Sequence, residues 1–304
     1  MSGERIRNGR SRLMRREARN AYVFLIPWFT GMAAFVMIPL FASLYFSFTD
    51  YSFTPSFKYV GLKNYINLFT NDRSFYQSLS VTFRYVFISV PIVMTLALLL
   101  AVLLNKGLKG LGVFRGIYYL PSLIGGSVAI SMIWRQVFGA EGIVNRLLAV
   151  LGIHMTSWIG SPKYALWSVI ILHIWQFGSP MIIFLAALKN IPNELFEAAD
   201  IDGANSIQKF FRITLPLISP TILFNLIQQI IHSFQAFNQA YIISGGTGGP
   251  ARSLLFYTLS LYKNAFTNYK MGYASAQAWI LLAIIGVFTL ISFSTSKKWV
   301  YYEV

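Results

Sequence analysis

Residues 194–220 read ELFEAADIDGANSIQKFFRITLPLISP. Glu194, Glu197, Asp200 and Asp202 fall within nine positions of a chain that holds 10 acidic residues in all, and its flanks are apolar. The local chemistry predicts a helix–turn–helix bracket. Pro192 suits a first helical turn, where its missing N–H costs nothing. Asn193, Glu194 and Glu197 place acceptors and negative charge near the positive end of the helix dipole, and Leu195, Phe196 and Ala199 supply a short apolar face. Asp202-Gly203 then ends the helix, with Gly203 free to take the left-handed conformation of a C-terminal cap. Beyond it Ile207, Phe210, Phe211 and Thr214 recur at helical spacing, with Lys209 and Arg212 on the opposite side. Pro216 and Pro220 mark entry to the next apolar run. An apolar stripe and charged rim with no lipid to bury against read as a docking element for a partner at the membrane surface. The plainer alternative is a solvated loop with capping carboxylates.

The flanks are lipid-seeking. The 304 residues are 56% hydrophobic and 12% charged, against about 25% charged in a soluble domain. A helix crossing a bilayer needs about 20 apolar residues, and a charge at its centre costs roughly 2.5–3.5 kcal/mol. Uncharged windows run 21–49, 85–105, 116–134, 164–188, 213–251 and 271–296. The fifth is too long for one helix, and Ser244-Gly245-Gly246-Thr247-Gly248-Gly249-Pro250 cannot remain helical, so its helix ends near Ile243. The expected class is an all-α integral membrane protein with six transmembrane helices.

The organisation follows: a basic tail over 1–20, a first membrane helix over 21–49, an extracytoplasmic segment over 50–77, a five-helix core over 78–296 containing the loop 190–220, and a short C-terminus over 297–304. Arg5, Arg7, Arg10, Arg12, Arg15, Arg16 and Arg19 precede the first run, which exceeds the roughly 7–15 apolar residues of a signal peptide. The positive-inside rule puts that tail in the cytoplasm, and an even number of spans puts both termini there. Loops on both sides carry Lys and Arg, so this orientation rests mainly on the tail. The formal charge of +15 would suggest nucleic acid in a soluble protein, but no aromatic-interleaved basic surface follows. No nucleic-acid partner is expected.

Reactive groups are sparse. With no cysteine, disulfides and thiolate metal sites are excluded. No G-x-x-x-x-G-K-[ST] pattern is present, so no phosphate-cradling loop is expected. His154, His173 and His232 form no close metal pair, and no Asp or Glu lies within an apolar window, as an ion-coupled carrier would usually require. His173 and His232 read as helix-packing residues rather than proton shuttles. No catalytic residue, metal or cofactor is expected in this chain.

Glu197, Ala198, Ala199, Gly203, Ile213, Leu215 and Pro216 match the pattern E-A-A-x-x-x-G, nine variable residues, I-x-L-P; Asp202, Ala204, Phe210 and Pro220 extend it. The chain thereby resembles the permease subunits of bacterial binding-protein-dependent ABC importers. YVGLKNYINLF (59–69), KGLGVFRGIYYLPSLI (109–124), GGP (248–250), MGYASA (271–276) and WVYYE (299–303) are similar to the carbohydrate-uptake branch, the maltose, lactose and glycerol-phosphate permease group. The resemblance implies a type I importer fold in the bacterial inner membrane, whose bracket, with Glu197, Ala198, Ala199, Asp202, Gly203 and Ala204, couples to a separate ATPase. It further implies two ATPase subunits holding ATP and Mg, a second homologous permease forming a heterodimer, an extracytoplasmic solute-binding protein and a sugar-like substrate. A stand-alone secondary carrier or facilitator is the alternative, and it leaves the bracket unexplained.

Polar groups inside a span line a cavity or pair with another helix. Gly178 and Pro180 interrupt the fourth span, where Gln176 and Ser179 offer polar groups; Gln235 and Asn238, three apart in the fifth, are expected to share a helix face beside Phe234. By resemblance, Phe234, Gln235 and Asn238, with Phe177, Gly178 and Met181, fall where maltose-type permeases hold sugar, although Gln235 replaces a shorter asparagine. Gly272, Ala274, Ser275 and Ala276 read as a small-residue surface for close helix packing.

Overall fold

The computed structural model describes residues 20–53, 57–105, 110–153 and 157–301. The arginines of the basic tail, His154 and residues 302–304 lie outside the described residues. Helix α1, Asn20–Ser47, would extend about 42 Å and exposes most of its length, including Phe24, Trp28 and Phe35. Its C-terminal end is the part that packs: Ser47 and Thr49 are buried. From α2, Lys63–Thr70, the Asn64 side-chain amide donates to the Ser47 and Thr49 carbonyls at 2.9 and 2.8 Å, satisfying acceptors that a helix end leaves open. Asn64→Ala removes the donor from both buried carbonyls. The expected loss is about 1–3 kcal/mol, read as a lower thermal midpoint in detergent.

Helix α3, Arg73–Leu104, begins where Asp72 accepts the Ser74 and Phe75 N–H groups at 2.8 and 3.1 Å. It therefore starts twelve residues before the uncharged window at 85. Arg84 tolerates this because its side chain is exposed, while Phe75, Ser78, Thr82 and Tyr85 are buried at helical spacing. The proposed boundary at residue 78 falls inside this helix.

The third apolar window is divided. Helices α4, Leu111–Ile124, and α5, Val128–Val137, meet at 99°, with the turn at Gly125-Gly126 and Ser127 capping α5 through the Ile130 N–H at 3.3 Å. A Cβ at Gly125 would lie 2.4 Å from the Gln176 side chain, so glycine lets the elbow close against the fourth span. After α6, Ile143–Val150, that span comprises α7, Ala165–Trp175, and α8, Gly178–Lys189, broken at Gln176 and Phe177.

The bracket supplies α9, Asn193–Ile201, and α10, Ser206–Leu217. The fifth span is α11, Ser219–Phe234, then α12, Asn238–Ser244, which ends at left-handed Gly245. Pieces Ser206–Leu217 and Ser219–Ser244 meet at 66°. Helix α13, Tyr257–Tyr262, leads through a wide turn, Lys263–Thr267, to α14, Met271–Ser296. Among the described residues four helices are long and apolar enough to cross a membrane, and up to six spans result when each bent pair is one.

Helix α3 runs through both buried cores. Phe75 and Tyr85 pack near Phe234, Phe256 and Tyr257 at one end; Val93, Ala97, Ala101 and Leu104 pack near Met181, Phe184, Leu188 and Ile218 towards the bracket. Small residues at 97 and 101 let α8 approach closely. Gly272 does the same between α14 and the end of α1: a Cβ there would meet the Thr49 carbonyl oxygen at 2.2 Å, and its N–H donates to Tyr51 at 2.9 Å.

Candidate functional site

The bracket is held by backbone geometry. Pro192 is the N-cap of α9, one position before the helix rather than within its first turn. At the other end Gly203 has φ +75°, its N–H donates to Asp200 at 3.0 Å, and the Ala204 N–H reaches back to Ala199 at 2.9 Å. This pair of bonds is the Schellman termination, which glycine accommodates best. Asn205 and Gln208 then cap α10 reciprocally, at 2.9 and 2.8 Å, and Lys209 pairs with Asp200 across the turn.

The expected stripe on α10 divides. A π turn over Phe210–Thr214 inserts an extra residue, so Phe210 and Thr214 turn in beside Phe196, Leu188 and Val102, whereas Ile207 and Phe211 face out. Lys209 turns in towards Asp200 rather than standing opposite the stripe. Leu195 is exposed, and Phe196 and Ala199 form the half-buried face of α9. Ile201, 89% exposed, and Ile207, 70% exposed, leave an apolar surface around Glu197, Ala198, Asp202 and Gly203. Ala204 is half-buried.

Three helix interruptions converge between the two cores. The Gly125-Gly126 elbow, the Gln176–Phe177 break and the Gln235–Phe237 break border a cavity of about 440 Å³ lined by Tyr85, Ser122, Gly126, His173, Gln176, Ser179, Gln229, His232, Gln235, Ala236, Phe237, Asn238 and Gln239. Ser122 joins two of the breaks: its hydroxyl donates to the Gln176 carbonyl at 2.9 Å and accepts from the Ser179 N–H at 2.8 Å. Asn238, beside the third, donates to the Gly126 carbonyl at the elbow at 3.4 Å. The buried His173 Nδ1 has no hydrogen-bond partner among the described residues. No charged side chain among the described residues lines this cavity. It is a surface of amides, imidazoles, hydroxyls and the rings of Tyr85 and Phe237, suited to an uncharged hydrogen-bonding surface of a solute.

Gln235 and Asn238 therefore meet at one cavity, but across a helix break rather than on a continuous helix face. Phe177, Gly178, Met181 and Phe234 lie elsewhere. Phe234 is buried between Phe83 and Phe288, and Met181 is buried in the second core. Phe177 stands 5.9 Å from Tyr118, and a Cβ at Gly178 would come 2.3 Å from the Tyr118 carbonyl oxygen. Their places follow from helix packing. Ser122 and Gly126 carry little sequence signal because they sit in an apolar window, where the Gly125-Gly126 doublet is the mark of a break. Of the other lining residues, Gln229 and His232 were visible as polar positions in the fifth apolar run.

A larger pocket, about 700 Å³, lies at the end opposite the bracket between Asp50, Asp72, Lys263, Lys270 and several asparagines. Part of its polar lining is already engaged in the fold. Asp72 caps α3 and accepts the Tyr273 hydroxyl at 2.7 Å, and Asn264 donates to Gln277 at 3.0 Å.

Comparison with known proteins adds an independent line. The inner membrane component of binding-protein-dependent transport systems matches residues 67–301. Over 295 residues the chain is 49% identical to the probable ABC transporter permease protein YesP of Bacillus subtilis, covering 97% of this chain and 96% of that protein. It is 33% identical over 265 residues to the trehalose/maltose transport system permease protein MalF of Thermococcus litoralis, covering 86% and 87% respectively. A chain of the bacterial alginate ABC transporter, solved in complex with its alginate pentasaccharide-bound periplasmic protein, superposes with a TM-score of 0.81 at 22% identity, over 95% of this chain and 98% of that one. At that identity the likeness is one of fold.

Proposed function

Given that the chain belongs to the inner membrane components of binding-protein-dependent transport systems, we propose that it is the membrane-spanning permease of an ATP-driven importer for a sugar or oligosaccharide. The observation that carries this reading is continuity: the bracket is joined directly to two spans whose breaks border one uncharged polar cavity. An extracytoplasmic binding protein delivers the solute at the end opposite the bracket. The bracket faces the cytoplasm, where one of two ATPase subunits receives Glu197, Ala198 and the exposed apolar residues beside them. ATP and Mg belong to those subunits. A second, homologous but different permease completes the pathway, with both termini of this chain in the cytoplasm of a bacterium.

The mechanism uses short levers. Helix α8 carries displacement from the bracket to Phe177 over about 18 Å, and α11 carries it to Gln235 over about 24 Å. When the ATPases close, the bracket moves with them, and the breaks at 176–177 and 235–237 bend because their backbone hydrogen bonding is already interrupted. The cavity then changes its side of access, while its amides exchange hydrogen bonds with the solute. ATP binding favours one state and hydrolysis restores the other.

Two experiments test this reading. Mild-detergent purification from native membranes is expected to retain an ATPase and a second permease in stoichiometric amounts; a folded chain that remains alone would support a facilitator instead. Replacing Gln235 and Asn238 together by alanine is expected to lower uptake about tenfold, as loss of hot-spot contacts does, with assembly unchanged. Wild-type uptake by that variant would remove the cavity from the pathway.

A further inference from the structure

We propose that Phe237, Tyr241, Tyr262 and Phe266 form an aromatic track that carries sugar rings between the protein surface and the cavity. This inference rests on the sugar reading above and deepens it.

The four rings make a continuous row. Phe237 and Tyr241 are 5.4 Å apart by ring centroid, Phe237 and Tyr262 5.1 Å, Tyr241 and Tyr262 5.6 Å, and Tyr262 and Phe266 5.1 Å. One end is inside the candidate site, because Phe237 lines the cavity beside Gln235 and Asn238. The other end is open, with Phe266 about half exposed. Two helical pairs, each four residues apart, thus interleave from α12 and from the α13 turn.

Packing accounts for α12 meeting α13, and two further features leave the row open to a ligand. Phe266 remains exposed at the end of the row, and the Tyr241 and Tyr262 hydroxyls have no hydrogen-bond partner among the described residues. Tyr257, one turn earlier on α13, shows the packed alternative: its ring is fully buried and its hydroxyl donates to Gln277 at 2.8 Å. Gly246 keeps space beside Tyr241, where a Cβ would lie 3.2 Å from the ring and 3.7 Å from its oxygen.

A pyranose or furanose has C–H faces and a hydroxyl rim. An aromatic ring receives the face, and a tyrosine hydroxyl can bond to the rim. Several similar contacts in series let a solute advance by exchanging one weak site for the next, without a deep trap. The track therefore selects for the sugar ring itself, and should favour oligosaccharides, which span several rings at once.

The test uses the whole transporter with its partners in proteoliposomes. A library of neutral and uronate-bearing mono- to hexasaccharides serves as probe, with internalised sugars identified by mass spectrometry. Tyr262→Ala and Phe266→Ala are expected to lower kcat/KM for the longest transported saccharide about tenfold. The shortest transported saccharide should lose less, and Tyr262→Phe should recover most of the loss. Phe266→Ala guards against misfolding, since that ring is largely surface. Unchanged uptake in both alanine variants, or an equal loss at every saccharide length, would overturn the track alone. Loss of the second permease on purification would make the row a subunit contact and overturn it as well. If wild-type transporter imports none of the library, the sugar reading itself fails and the track with it.

Discussion

Gly203→Pro is expected to leave the protein inserted in the membrane and to abolish uptake. Proline fixes φ near −65° and has no N–H, whereas Gly203 has φ +75° and donates to Asp200 at 3.0 Å. The substitution therefore removes the turn that sets α10 against α9, and with it the geometry in which Lys209 meets Asp200. Side-chain bulk is not the cause, because nothing lies within 4 Å of a Cβ at this position. A displacement of about 1 Å at a transmitting contact can cost a hundredfold in rate. Gly203→Ala provides the graded control: it keeps the N–H and strains φ by about 1–2 kcal/mol, so partial uptake should remain. Membrane abundance, co-purification of the ATPase and solute uptake are measured together. Normal uptake by a well-inserted proline variant would sink the coupling role of the bracket.

Gly272→Val is expected to have the largest effect on stability. Its Cβ would meet the Thr49 carbonyl oxygen at 2.2 Å and the Phe46 carbonyl oxygen at 2.9 Å. Both obstacles are backbone, so no rotamer change relieves them. Overpacking of this kind costs typically about 1–3 kcal/mol, and more where backbone must move. The first helix should loosen from α14, seen as a lower thermal midpoint and faster proteolysis near residue 50. Gly286→Val is the matched control on the same helix, since nothing lies within 4 Å of a Cβ there. Equal behaviour of the two variants would mean that the close approach at Gly272 does not hold the helices together.

Much of the architecture is legible from lipid chemistry. The runs at 21–49, 164–188 and 271–296 become helices because uncharged stretches of that length have one low-cost solution in a bilayer. The turn at Gly203 is equally legible, since Asp-Gly after a short helix has a specific cap to form. The interruptions are harder. At Gln235–Phe237 the helix ends without glycine or proline, so the polar residues there read as one face of a regular helix. At Gly125-Gly126 the breaker is present but surrounded by apolar residues, and a 99° elbow is set by contact with Gln176 from another span. Lys209 turns in because it pairs with Asp200 of the preceding helix, a tertiary contact that a projection of α10 alone cannot show. Arg84 hid the start of α3, since a count of charge cannot tell an exposed helix side from a buried one. The cavity-lining residues Ser122 and Gly126 follow from these tertiary breaks.

The attachment of α1 also has a consequence in time. Among the described helices it is synthesised first, and two of its fasteners follow at very different intervals. Asn64 comes 17 residues after Ser47, but Gly272 comes some 220 residues after Tyr51, to which it bonds. At a synthesis rate of about 5–20 residues per second, the second fastener arrives roughly 10–45 s later. Throughout that interval the nascent helix depends on its local contacts, the asparagine clasp and the Tyr65 hydroxyl that donates to Ser47 at 2.8 Å among them. Replacing Asn64 should therefore reduce the yield of correctly threaded chains more than it shortens the lifetime of those already complete, whereas replacing Gly272 should do the reverse.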